Sequence, residues 1–439
     1  MAKKPKLTLQ QQEERRKIKK TNPVVWWAYN VLAHIVAAPY NAEIEMVDDI
    51  RKEPGPCFLI WNHLSRRDYL FLQLGMYPRQ FNMLAGYNEF FRKKFRFLFH
   101  LVNVIPKKNF SSDMVSIAGM HRAIKLGNVV TFSPEGTSSM FGMSQPIVPG
   151  TGKFLKHYGI PIYCMDLKGA YLMSHKVDIE DKPGKIYAKI YKLFTPEDLK
   201  AMTGDEIQTK IDEVFNHDDY VWNKTARIKY KIKNNACSHW DDMLYKCPKC
   251  GEEFTIVAEG NSCKCTKCGN GMNVNEYYDL LPFDDTCVIP ETPSKWVDWE
   301  RAQIIKEIRK DPNYSFSREV KLGYLPPYKC VKDPNTTEIC GEGVLTIDHE
   351  GLHYKGTKLG EPFEIFEDYK EVYTMNVEND FRTFAIFFNG ELYEFYRPEG
   401  ADHFGAKAIM LVQEMHRLHV NTWKNFPWND WMYKEAEEQ

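Results

Sequence analysis

The sequence predicts an α/β protein carrying two smaller accessory units, and three observations predict it. Between residues 50 and about 170, short apolar runs alternate with helix-like stretches, the order that builds a layered sheet. Further on, two Cys-x-x-Cys pairs, Cys247/Cys250 and Cys265/Cys268, stand fourteen residues apart. Near the end, apolar runs flank Asn389-Gly390 and lead into an amphipathic stretch. At 439 residues the chain is long enough for two to four units. The expected boundaries are a basic arm and interfacial helix over 1–48, the α/β domain over 49–235, a cysteine-held ribbon over 236–290, a helical linker over 291–335, and a β-rich domain closed by a helix over 336–439.

Bulk composition excludes some classes. Charged residues make up 27% of the chain, too many for a protein that crosses a bilayer repeatedly. The formal net charge is −1, so global charge names no partner. Local charge does more. Lys3, Lys4, Lys6, Arg15, Arg16, Lys17, Lys19 and Lys20 crowd the first twenty residues, as in arms that bind anionic surfaces. A solubilising tail is the plain alternative. Pro23 to Tyr40 follows, with 15 residues between its prolines, short of the roughly 20 needed to span a bilayer. Trp26, Trp27 and Tyr29 at its start favour a helix lying in the membrane surface. Asn30 and His34 interrupt it in a way unusual for a signal peptide. A plain core helix is the remaining alternative. The eleven cysteines are clustered and odd in number, unlike a secreted disulfide framework.

The elements follow in order. Cys57 to Trp61 reads as a buried strand and Tyr69 to Leu72 runs into a helix. Leu101 to Ile105 reads as a strand, Met114 to Leu126 as a helix, Val129 to Phe132 as a strand, and Ile160 to Met165 as another. Thr195 caps a helix with Pro196 in its first turn, and Asp205 to Val214 reads as helical. Pro290 to Pro293 and Gly323 to Pro334 read as linkers around an amphipathic helix over Trp296 to Arg309. Gly343 to Ile347 pairs with Gly351 to Lys355. Asn389-Gly390 is a strong hairpin signal between Thr383–Phe388 and Glu391–Tyr396. The closing helix puts Phe404, Ala408, Leu411, Met415 and Leu418 on one face.

The residues that carry chemistry sit at strand ends. Asn62-His63-Leu64-Ser65-Arg66-Arg67-Asp68 directly follows the first strand. A histidine serves as a base near neutrality, and a carboxylate can orient it. Residues five apart on one straight helix lie about 140° apart around the axis. His63 is therefore expected in the turn before a helix and Asp68 in its first turn. Ser65-Arg66-Arg67-Asp68 also reads as a capping box. Phe132-Ser133-Pro134-Glu135-Gly136-Thr137 makes a second corner, where hydroxyls and, if a helix starts there, free N–H groups would meet an anion.

Together these blocks resemble the glycerolipid acyltransferases, over roughly residues 50 to 190. The resemblance implies a glycerolipid acyltransferase-like sheet with flanking helices. It implies catalysis by His63 and Asp68, and substrate binding by Asn62, Ser65, Lys107, Lys108, Glu135, Gly136 and Thr137. Ile160-Pro161-Ile162 resembles the family's fourth block. Two positions depart from the pattern. Ser138 stands where the family has arginine, and Lys107-Lys108 stand where its second block ends in arginine, so bidentate phosphate recognition is missing. No nucleophilic Ser or Cys motif accompanies His63, so direct transfer is expected.

The paired knuckles fit a structural Zn²⁺ bound by Cys247, Cys250, Cys265 and Cys268. Glu252, Glu253 and Glu259 inside the ribbon argue against nucleic acid as a partner. The C-terminal unit resembles, by element order alone, the pleckstrin-homology and GRAM-like modules. The expected function is transfer of an acyl group from acyl-CoA or acyl-carrier protein to a lysophospholipid, most simply 1-acylglycerol 3-phosphate, at the cytoplasmic face of the membrane, with the enzyme peripheral or monotopic. The alternatives are another acceptor (glycerol 3-phosphate, an amino- or glycolipid) or a noncatalytic membrane adaptor.

Overall fold

The computed structural model describes residues 6–145, 147–332, 334–378 and 381–422. Seven strands form the first sheet: β1 (Ala42–Met46), β2 (Phe58–Trp61), β3 (Phe81–Gly86), β4 (Ile105–Lys107), β5 (Val129–Phe132), β6 (Ile162–Lys168) and β7 (Ile186–Phe194). Their order is β1-β7-β6-β2-β5-β3-β4. Strands β6, β2, β5, β3 and β4 are parallel, while β7 runs antiparallel to β6. Every residue of β2 is buried, as expected for a central parallel strand covered on both faces.

The helices of this part are α1 (Leu9–Glu14), α2 (Pro23–Ala37), α3 (Asp68–Met76), α4 (Lys93–Leu101), α5 (Met114–Lys125), α6 (Thr151–Tyr158), α7 (Ala170–Met173), α8 (Pro196–Ala201), α9 (Gly204–Phe215) and α10 (Asp219–Ala226). Thr195 and Thr203 both close capping boxes, with Asp198 and Glu206. The basic arm packs against the domain. Ile18 is buried, and Arg122 Nε donates to its carbonyl at 2.7 Å. Helix α2 buries Trp26, Asn30, Ala33 and Ala37, with Trp26 edge-on to Phe81 at 5.0 Å. Among the described residues no helix is long and apolar enough to cross a membrane.

One expected element differs, and one conditional reading is not met. Leu101 to Val104 is not strand: Leu101 ends α4, and the strand begins at Ile105. The aromatic-rich run Phe95 to Leu101 carries helical periodicity that the short apolar run Leu101 to Ile105 masked. Nor does a helix start after Gly136. Residues 133–142 form turns and bends.

The ribbon holds β8 (Ile256–Glu259), β9 (Ser262–Cys265), β10 (Gly271–Val274) and β11 (Leu280–Pro282) in one antiparallel sheet. Helix α11 (Pro293–Lys310) docks on it. The Glu300 carboxylate accepts the Tyr245 and Lys246 N–H groups, each at 2.7 Å, and Trp296 Nε1 donates to the Lys246 carbonyl at 2.9 Å.

The C-terminal sheet contains β12 (Ser315–Tyr324), β13 (Glu338–Asp348), β14 (Leu352–Lys358), β15 (Glu361–Glu367), β16 (Asn376–Val377), β17 (Thr383–Phe388) and β18 (Glu391–Tyr396), closed by α12 (Gly405–His419). Its order is β15-β14-β13-β12-β18-β17-β16. The expected linker over 291–335 is corrected here. Strand β12 lies in it and pairs with both β13 and β18, so the domain begins near residue 315. The charged residues alternating along Ser315 to Lys321 hid a strand exposed on one face. The β17–β18 hairpin turns at Asn389 and Gly390, with φ of 50° and 77°, the left-handed pair that a two-residue hairpin needs.

Candidate active site

The site forms where β2 and β5 end. These strands are adjacent and parallel, so the segments leaving their carboxyl ends meet, the usual place for a site in an open α/β sheet. Asn62 leaves β2 first. Its side-chain amide donates to the Leu167 carbonyl at 2.9 Å, and its oxygen accepts the Leu167 N–H at 2.7 Å. That bridge to β6 makes the strand end rigid. The Asn62 side chain, expected to bind substrate, is fully buried and its amide is committed to Leu167.

His63 lies in the turn and Asp68 opens α3. Nδ1 of His63 is 2.9 Å from Asp68 Oδ2. In the neutral ring that donates Nδ1–H to Asp68, Nε2 carries the lone pair. Asp68 Oδ2 also accepts the Ser65 N–H at 3.0 Å, and Oδ1 accepts the Ser65 hydroxyl at 2.6 Å. The capping and orienting roles of Asp68 therefore coexist. Ser65 is buried and donates its hydroxyl to Asp68. The imidazole is 29% exposed while Asp68 is buried.

The third block grips the backbone of His63 from both sides. Glu135 Oε2 accepts the His63 N–H at 2.8 Å, and the Ser139 N–H donates to the His63 carbonyl at 2.6 Å. Burial pushes the Glu135 carboxyl up to about 8, although the backbone N–H groups of His63 and Gln145 work the other way. Gly136 has φ +76°, and a Cβ there would meet Phe110 Cε1 at 2.9 Å. Glycine is thus required twice over, by conformation and by space. Thr137 is buried, its hydroxyl without a hydrogen-bond partner among the described residues.

Lys107 and Lys108 do not join this group. They leave β4, three strands from β2 in the sheet order, which is about 14 Å of sheet. Lys107 Nζ donates to the Lys108 carbonyl at 2.7 Å and the Ser111 carbonyl at 3.3 Å. Lys108 Nζ donates to the Gly390 carbonyl at 2.8 Å and lies over the Tyr87 ring. Both amines are hydrogen-bonded to backbone carbonyls. The segment that does reach the site was not singled out in the sequence. Lys176 Nζ donates to Ser138 Oγ at 2.8 Å, and Asp181 pairs with Arg66 at 2.6 Å and Arg67 at 2.8 Å. Residues 174–182 thereby tie the first block to the third. No local motif announces them; charge opposite Arg66-Arg67 was the available signal.

The four ribbon cysteines cluster with all sulfurs within 4.8 Å of one another. Cys247 and Cys268 are 3.7 Å apart, and Cys250 and Cys265 are 3.8 Å apart. Disulfide sulfurs stand at about 2.05 Å. Sulfurs placed tetrahedrally around Zn²⁺ at about 2.3 Å are about 3.8 Å from each other, so this donor set fits that ion.

Residues 42–168, from β1 through β6, match the family model described as Acyltransferase. No curated protein matches the chain. Among solved structures it is similar to the 1-acyl-sn-glycerophosphate (LPA) acyltransferase PlsC from Thermotoga maritima, at 16% identity and a TM-score of 0.36, over 43% of this chain and 76% of that one.

Proposed function

From the match of residues 42–168 to the acyltransferase family model, we propose that the chain moves a fatty acyl group from a thioester to the free hydroxyl of a lysophospholipid. The observation that carries this is the His63–Asp68 pair, oriented by Asp68 at 2.9 Å and clamped through the backbone by the third block. His63 Nε2 takes the proton of the acceptor hydroxyl as its oxygen attacks the thioester carbonyl. The tetrahedral intermediate collapses, the C–S bond breaks, and the imidazolium returns its proton to the thiolate. Asp68 stabilises the imidazolium between those two events. The donor is acyl-CoA or acyl-carrier protein, and 1-acylglycerol 3-phosphate is the first acceptor to test. Ser138 and the remote Lys107 and Lys108 favour a second reading, with the same chemistry on an acceptor whose headgroup lacks phosphate.

The basic arm and α2 hold the enzyme on the membrane at its cytoplasmic face. Cys247, Cys250, Cys265 and Cys268 hold a structural zinc, which ties the ribbon to α11 and plays no part in the transfer. The C-terminal sheet with its closing helix serves as a lipid-side module of the pleckstrin-homology or GRAM-like kind.

Thioester consumption with lysophosphatidate tests the enzymatic reading. His63→Ala is expected to lower the rate by about a thousandfold with the fold intact; an unchanged rate overturns it. For the ribbon, metal analysis is expected to find one zinc per chain in wild type and none in the Cys247→Ser/Cys250→Ser variant.

A further inference from the structure

Helix α4 presents an apolar face to solvent that the α/β fold does not explain. None of its residues is buried. Arg96, Phe99 and His100 turn inward, where Arg96 and His100 meet Glu13 of the arm, His100 Nε2 at 2.9 Å. Phe97, Leu98 and Leu101 point out, at helical spacing, with Phe97 65% exposed. Helix α2 has the same construction. Trp26, Asn30, Ala33 and Ala37 pack inward, while Val24, Trp27, Val31 and Ile35 face out, Val24 at 71% and Ile35 at 67%.

The two helices are linked at one hydrogen-bonded junction. Asn103, two residues after α4, accepts the Lys19 N–H on Oδ1 at 3.2 Å, and its Nδ2 reaches Thr21 Oγ1 at 3.5 Å. Thr21 and Gln80 bond both ways, at 3.0 and 2.8 Å, and α2 starts at Pro23. The carboxyl end of one exposed apolar helix is thus fastened to the amino end of the other. Exposed cations border both: Lys17, Lys19 and Lys20 on the arm, Lys93 and Lys94 at the start of α4. Glu13 does not cancel them. It is buried, and although burial works to raise its carboxyl, His100, Arg96 and Arg16 outweigh that and hold it below its ordinary value.

We propose that α4 and α2 form one membrane-binding face, with α4 inserting beside α2 and the arm and α4 lysines meeting anionic headgroups. The occupant is an anionic lipid bilayer. Apolar side chains at helical spacing, rimmed by lysines, match a surface with an acyl region below a negative headgroup layer. Exposed apolar faces of this kind mark interaction sites. Two membrane-contacting helices would also set the orientation of the domain on the membrane, which one helix alone leaves free to roll. This deepens the membrane placement in the proposed function and is measured apart from catalysis.

The test is sedimentation of the full chain with vesicles of phosphatidylcholine plus phosphatidylglycerol, against vesicles of phosphatidylcholine alone. Wild type is expected to bind the anionic vesicles more strongly, with the difference shrinking at high salt. Phe97→Ser/Leu98→Ser, at exposed positions, is expected to weaken binding at least about tenfold with an unchanged unfolding temperature. Lys93→Gln/Lys94→Gln is expected to remove part of the anionic preference. Binding by Phe97→Ser/Leu98→Ser equal to wild type overturns the proposal. So does a dimer, in the absence of lipid, that this variant dissolves while its vesicle binding persists, since a second copy would then be the occupant. Loss of vesicle binding with thioester consumption intact leaves the enzymatic reading standing. Intact vesicle binding with no transferase activity rejects that reading alone.

Discussion

Two histidine–carboxylate pairs stand at the carboxyl ends of neighbouring strands. His63, after β2, meets Asp68 through Nδ1 at 2.9 Å. His217 meets Asp219 through Nε2 at 2.7 Å, and Asp219 also accepts the Gly169 and Tyr171 N–H groups just past β6, at 2.7 and 2.9 Å. The difference lies in what surrounds each ring. The His63 imidazole is 29% exposed and the His217 imidazole 11%. Burial pulls the His217 pKa down, but Asp219, with Asp166 behind it, outweighs burial and Lys168 and raises it. His217 is thus held toward its charged form beside Asp219, which joins the start of α10 to the end of β6, whereas His63 keeps Nε2 available at an accessible corner. A carboxylate partner alone does not make a histidine a base. Access to the other ring nitrogen does.

The largest test of this contrast compares His63→Ala with His217→Gln. The first is expected to cut transfer by about a thousandfold with little change in stability. The second is expected to leave kcat within about threefold but to cost about 1–3 kcal/mol of stability. Equal loss of activity in two folded variants would erase the distinction. Next comes Asp68→Asn, expected to lower kcat about a hundredfold by removing the charge that stabilises the imidazolium, with KM for the acceptor less affected.

The pH dependence separates the pairs further. His217 has a folded-state pKa above its ordinary 6.5. Its ion pair therefore stabilises fully below about pH 6.5, and that contribution fades as pH rises through the raised value. Thermal unfolding is expected to show the wild type's advantage over His217→Gln largest in acid and narrowing in alkali; a gap that widens with pH contradicts this role. The smallest effect concerns Glu135, whose carboxyl is raised from 4.5 to about 8. Between those values the unfolded chain releases a proton that the folded chain keeps, so stability falls as pH rises. Glu135→Gln keeps an acceptor for the His63 N–H and removes that slope. Relative to wild type it is expected to gain at least about 1 kcal/mol from the acid to the alkaline end of this window. A parallel pair of stability curves would mean that Glu135 is ionised in the folded state.

Much of the site was legible because its signals are short-range. The strand, turn and helix around His63 follow from an apolar run, a polar corner and the five-residue spacing to Asp68. The knuckle spacing places four sulfurs together, and Asn389-Gly390 sets its hairpin, because turn chemistry acts over a few residues. The misses share a different cause. Asn62 and Ser65 read as substrate-binding because motif membership does not reveal which way a side chain turns; in the fold they bond Leu167 and Asp68. Strand β12 was hidden because its alternation matters only once β13 and β18 lie beside it.

Sequence alone therefore determined the local pieces of this protein: the histidine with its carboxylate, the tight glycine turn, the sulfur quartet and the hairpin. Tertiary structure decided which pieces meet. Glu135 reaches His63 across 72 residues because β5 pairs with β2. Lys107 and Lys108 fall away because β5 and β3 stand between β4 and β2. Strand order is set by burying both faces of a whole sheet at once, a sum over distant residues that no stretch of local sequence contains.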